Sequence, residues 1–186
     1  MTSSLSMIDP VQSTKEGDHN VTRMTDRETG MVFYEAWHNS SRQLDREDGP
    51  AKTQRNFHTG VTTHEDWYIA GKLHRSNGPA SIRRGNVSGV CVREMWCING
   101  KLSREDGPSL VTRDSVTGVI THEIWARDGK QHRDDGPAEI WRDADSNVLR
   151  EEWWVDGKET KTVQHSPLVP LTRGIRDSLR IDHLCA

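Results

Sequence analysis

The sequence predicts an all-β protein: an elongated, twisted antiparallel meander of about four 29-residue hairpin repeats, with a short C-terminal helix. Three observations predict it. Tryptophan recurs at Trp37, Trp67, Trp96, Trp125 and Trp153, at intervals of 28 to 30 residues. A turn signature recurs at Asp48-Gly49-Pro50, Asn77-Gly78-Pro79, Asp106-Gly107-Pro108 and Asp135-Gly136-Pro137, with the prolines 29 residues apart. The segments between alternate β-branched or aromatic residues with polar ones, and no segment within residues 31–161 has helical periodicity.

Each element follows from local chemistry. Residues 1–20 contain Ser, Asp and Gln without periodicity and read as a flexible tail. The array occupies residues 21–161. Within a unit, Val90 to Ile98 alternates as a strand, and Asn99-Gly100, Asp128-Gly129 and Asp156-Gly157 supply type I′ turns, whose two central residues both need positive φ. The strand returns through Lys101 to Arg104. Asp-Gly-Pro then interrupts it, because proline donates no ladder hydrogen bond, so a bulge or tight bend is expected there. A second extended piece follows, as in Ala138 to Arg142, and Gly60, Gly89 and Gly118 close successive units. Residues 162–186 read as a linker, with Pro167 and Pro170, and a short capping helix in which Leu171, Ile175 and Leu179 recur every fourth residue.

Period-2 geometry sorts the side chains into two faces. The regular face carries Glu65 with Trp67, Glu94 with Trp96, Glu123 with Trp125 and Glu151 with Trp153; this is the expected structural repeat. Arginines at 55, 84, 113 and 142 are expected between the glutamates, stacked on tryptophan faces. The other face varies between units. A partner touches only part of an array, so its contacts are expected where units differ: Tyr68, Met95, Ile124, Trp141 and Trp154.

Composition narrows the function. Of 186 residues 28% are charged and only 32% hydrophobic, so a large two-layer core is not expected; a net charge of −3 and seven tryptophans argue against disorder. The chain has no long apolar run and its N-terminal residues carry no secretory pattern, which predicts a cytoplasmic protein. Three sparse cysteines, Cys91, Cys97 and Cys185, do not make a disulfide framework. His64-Glu65 and His122-Glu123 sit at equivalent phases, but neighbours in a strand point to opposite faces, which argues against acid–base cooperation. The sequence holds no metal-ligand spacing, phosphate-binding glycine loop or nucleophile elbow, so no catalytic residue, cofactor or metal is expected.

The run Gly71-Lys72-Leu73-His74-Arg75-Ser76-Asn77-Gly78-Pro79-Ala80, together with Glu94-x-Trp96-x-x-Asn99-Gly100-Lys101, resembles MORN-type repeats. It is most similar to the variant with Gly-Lys-Leu-His-Arg-x-x-Gly-Pro-Ala units found in bacteria, phages and large viruses. The resemblance covers about residues 30–160, and the units here have extra residues at both turns. It implies a curved antiparallel sheet that serves as a scaffold for protein contacts, in some members linked to phospholipid.

The expected function is therefore a non-enzymatic protein-binding module. A phage or mobile-element inhibitor that binds a host defence protein is the specific case the resemblance suggests. The alternative is a membrane- or nucleic-acid-associated scaffold using the Trp/Arg ladder; near-neutral charge disfavours nucleic acid, and the regular face lacks a lysine cluster for a membrane surface. Self-association through edge strands is a further outcome to be expected of an open sheet.

Overall fold

The computed structural model describes residues 8–165. Within them the chain is all-β, without helix, and its strands form an antiparallel meander. In chain order these are β1 (Gln12–Glu16), β2 (His19–Thr25), β3 (Val32–His38), β4 (Lys52–Arg55), β5 (Thr62–Asp66), β6 (Tyr68–Ile69), β7 (Lys72–Leu73), β8 (Ser81–Arg84) and β9 (Cys91–Met95). There follow β10 (Cys97–Ile98), β11 (Lys101–Leu102), β12 (Leu110–Arg113), β13 (Ile120–Ile124), β14 (Ala126–Arg127), β15 (Lys130–Gln131), β16 (Glu139–Arg142), β17 (Val148–Val155) and β18 (Lys158–Gln164). Twelve of them build one sheet in the order β1-β2-β3-β4-β5-β8-β9-β12-β13-β16-β17-β18. The other six form the two-stranded hairpins β6–β7, β10–β11 and β14–β15.

The turn chemistry explains those hairpins. Asn99 and Gly100 have φ of 51° and 80°, and Asp128-Gly129 and Asp156-Gly157 match them, as a type I′ turn requires. The same turn at Ala70-Gly71, with φ of 46° and 75°, places alanine where only Gly, Asn or Asp is comfortable. Each hairpin is tied to the preceding unit: the Gly100 N–H donates to Leu73 O at 2.8 Å, and the Gly129 N–H to Leu102 O at 2.8 Å. Backbone bonds from Arg75 N to Cys97 O and from Arg104 N to Ala126 O complete the link, so the short hairpins support one another in a row.

Asn77-Gly78-Pro79 forms a bend between β7 and β8, and Asp-Gly-Pro forms one between β11 and β12 and between β15 and β16. The bulges lie elsewhere. Register shifts opposite Thr63, Val92, Thr121 and Leu149 recur four residues before Trp67, Trp96, Trp125 and Trp153. An extra residue there turns the strand without exposing a proline to the ladder.

Two boundaries differ from those read in the sequence. The expected tail over residues 1–20 is ordered from β1 onward, because Gln12 to Glu16 pairs with His19 to Arg23 around Gly17, whose φ is 56°. The short, polar β1 lacks an apolar period; its pairing with β2 and the ion pair of Glu16 with Arg23 hold it. At the other end β18 runs to Gln164, past the expected boundary at 161, because it pairs with β17 from Val155 back to Arg150. The expected C-terminal helix lies outside the described residues.

Burial is thin and falls on both faces of the sheet. Ala51, Ala80, Ser109 and Ala138, the residues following each proline, are fully buried. Ile140 and Val111 are buried among the glutamates of the regular face, whereas Cys97, Ala126 and Leu110 are buried on the other. The variable face is therefore as much a packing surface as the regular one. Gln131 of β15 bonds Glu139 of β16, which shows the hairpins reaching over that second face.

Candidate functional site

The recurrent side-chain unit is a tryptophan, an arginine and a glycine. The guanidinium carbons of Arg46, Arg75, Arg104 and Arg133 lie 4.0, 4.0, 3.9 and 3.9 Å from the ring centroids of Trp37, Trp67, Trp96 and Trp125. Lys161 takes this place over Trp153, at 4.1 Å. The same guanidinium groups lie against the glycine of each Asp-Gly-Pro bend: a Cβ on Gly78 or Gly107 would stand 2.8 Å from the guanidinium carbon of Arg75 or Arg104. A side chain there would make the arginine shift. The tryptophans themselves are half-buried.

The stacking arginines are thus the ones four residues before each proline, not the series at 55, 84, 113 and 142. That second series pairs with the glutamate row instead. Arg113 bonds Glu94 at 2.7 Å, Arg84 pairs with Glu65, and Arg142 with Glu123. Arg55 departs from it and donates to Val32 O at 2.9 Å. In the last unit His165 meets Glu151 at 2.8 Å. Glu35 belongs to the same row; burial pushes its carboxyl up, but hydrogen bonds from Trp37 and Arg23 outweigh this and leave it below its usual range.

The five positions expected to contact a partner all lie on the second face. Met95 stands between Ser81 and Leu110, and Ile124 between Leu110 and Glu139. Tyr68 and Trp154 take the position filled by buried Cys97 and Ala126 in the other units. The Trp154 indole N–H donates to Glu152 at 2.9 Å. Trp141 stacks on His122 with centroids 5.0 Å apart and carries Arg150 on it. The histidines of the two His-Glu pairs have separate surroundings: His122 bonds Glu139, whereas burial and the charge of Arg83 hold His64 below its ordinary value. Burial pushes the Cys97 thiol up to about 11.

Two repeated features went unread in the sequence, although the signal was there. One is the buried Ala or Ser after each proline, which lies against the neighbouring strand: Trp67 N–H donates to Ala80 O at 2.8 Å, and Trp96 N–H to Ser109 O at 2.7 Å. The other is the loop opened by Asp26, Asn56, Asp114 and Asp143, whose side chains accept backbone N–H groups two to four residues on.

These parts produce three clefts of like construction. The first, about 460 Å³, runs between the loops of Arg46 and Arg75 over Trp67 and Ile69. The second, about 600 Å³, lies between the loops of Arg75 and Arg104 over Trp96 and Ile98. The third, about 520 Å³, lies between the loops of Arg104 and Arg133 over Trp125. Successive units are two strands apart in the sheet, so the clefts recur every ~9.5 Å. The aspartates of the bends are already engaged: Asp48, Asp106 and Asp135 accept from the neighbouring arginines, whose hydrogen bonds and charge hold these carboxyls below their usual value. Among the described residues no group of three or more His, Cys, Asp or Glu could hold a metal ion, and no helix is long and apolar enough to cross a membrane. No protein-family model, curated protein or solved structure matches the chain.

Proposed function

We propose that this chain is a non-enzymatic protein-binding module, a MORN-like array of about four hairpin repeats that contacts its partner through the row of clefts. The observation that carries the reading is the repetition itself: three clefts with the same tryptophan floor and arginine walls, held in register by a continuous sheet. Chemistry on a small substrate needs one asymmetric constellation, whereas recognition of a long partner uses a repeated one. A preformed sheet also loses little conformational freedom on binding. The cytoplasm is the compartment we assign to this work. Inhibition of a host defence protein by a phage or mobile-element product is the specific case suggested by the repeat type.

A membrane or nucleic-acid scaffold built on the Trp/Arg ladder has less support. Each repeat tryptophan carries a cation about 4 Å from its centroid, so one ring face is taken and not free to stack on a base. Self-association is opposed by the charges of the edge strands, Lys15 and Glu16 in β1 and Lys158, Glu159 and Lys161 in β18.

Affinity capture with the full chain, followed by mass spectrometry and a stoichiometry measurement on the purified complex, tests the reading. One protein bound at a fixed ratio is expected. Retention on liposomes or on single-stranded nucleic acid without a protein partner, or turnover of a substrate, would overturn it.

A further inference from the structure

The four stacked arginines are not equivalent. The Nε atoms of Arg46, Arg104 and Arg133 donate to Asp48, Asp106 and Asp135 at 2.8, 2.9 and 2.8 Å. In the remaining unit Asn77 stands in place of the aspartate. Among the described residues Arg75 forms no ion pair; its side-chain hydrogen bond runs from Nη1 to Pro79 O at 3.3 Å. Yet its guanidinium is placed like the others, 4.0 Å from the Trp67 ring centroid and against Gly78. It lines both the first and the second cleft.

A half-buried guanidinium, already oriented and lacking a carboxylate, is a receptor for one. Arginine presents a planar fork that matches two carboxylate oxygens, and order imposed beforehand is order that binding need not create. The surroundings define the rest of the ligand. Glu47 and Glu105 on the flanking loops repel a polyanion such as a nucleic acid far more than a single carboxylate, because the repulsion grows with the ligand's charge. On either side the floors are apolar: Trp67 with Ile69, and Trp96 with Ile98. Their separation of ~9.5 Å, two strand spacings, matches one turn of a polyproline II segment, ~9.3 Å for three residues. In that conformation residues i and i+3 point the same way.

We propose that Arg75 binds an Asp or Glu side chain of the partner protein. That acid lies on a polyproline II segment between two apolar residues three positions apart, which enter the clefts over Trp67 and Trp96. This deepens the protein-contact reading and rests on it.

The test is selection of displayed random 12-residue peptides on the full chain, followed by fluorescence anisotropy with the enriched peptide carrying fluorescein. Enriched sequences are expected to carry Asp or Glu between apolar residues at i and i+3. Changing that acid to its amide should weaken binding tenfold or more. Asn77→Asp, which supplies Arg75 with the internal partner that its three counterparts have, should weaken binding by a similar factor while thermal melting is kept. Asn20→Asp, the same change of charge at an exposed position of β2 outside the clefts, should leave binding intact. No enrichment, or an enriched peptide whose affinity ignores Asn77→Asp, would overturn the proposal. A captured protein that ignores Asn77→Asp would also overturn it, yet leave the protein-contact reading standing; failure to capture any protein would remove that reading itself.

Discussion

Gly107 shows how one residue is constrained by another three positions earlier in its own loop. Its Cβ space is filled by Arg104, which is itself held by Trp96. Gly107→Ala makes the Arg104 side chain shift, which should cost at most the value of a partly desolvated cation–π contact, about 1–2 kcal/mol. In an Arg104→Ala background the same substitution should cost far less; urea melts of the two singles and the double give the coupling. Acid titration bears on the same loops. The carboxyls of Asp48, Asp106 and Asp135 are held below their usual value of 3.8, chiefly by arginine hydrogen bonds. A lowered folded-state pKa means that the unfolded chain takes up protons first. Stability should therefore be level above about pH 4 and fall as pH drops below it, and melting measured between pH 6 and 2.5 checks this. The Trp-Arg-Gly association was only half legible: the arginine's phase was plain in the sequence, but two arginine series share the 29-residue period, and spacing alone cannot say which one stacks.

Hairpins were the most legible element, since a type I′ turn demands Asn-Gly or Asp-Gly and the sequence supplies it three times. Ala70-Gly71 is the departure, and it gives a prediction. Ala70 has a φ of 46°, which costs an ordinary L-residue about 1–2 kcal/mol and costs Asn less. Ala70→Asn should stabilise the protein by about 0.5–1 kcal/mol in denaturant melts. The bulges were not legible at their true positions. Phe33, Thr63, Val92, Thr121 and Leu149 share no side-chain chemistry, because a bulge is set by where two strands fall out of step and not by the residue that occupies it. Strand β1 was missed for a related reason: Gln12 to Glu16 is exposed along most of its length, so burial leaves no period to read.

Across the whole molecule the periodic tryptophans announce the array, but they do not reveal how deeply each ring is buried. Full burial would predict a loss of about 3–5 kcal/mol for Trp96→Ala or Trp125→Ala. With the rings half-buried and covered by arginine on one side, about 2–3 kcal/mol is expected, and the transition should remain a single one in both circular dichroism and tryptophan fluorescence. The division of labour between faces was less legible than the fold. Variable positions looked free for contact because units differ there, yet Cys97 and Ala126 are buried, so part of that variation is packing of unequal side chains into one thin sheet. The clefts escaped sequence reading because each is built from two units, and no single repeat contains one.

Hydrogen–deuterium exchange of the array, free and with its captured partner, tests whether that protein lies along the clefts. Slowed exchange is predicted in the bends at residues 46–49, 75–78 and 104–107, which form the cleft walls. A bound partner that leaves those three bends unchanged, and protects only the face carrying Met95, Ile124 and Trp141, would contradict it.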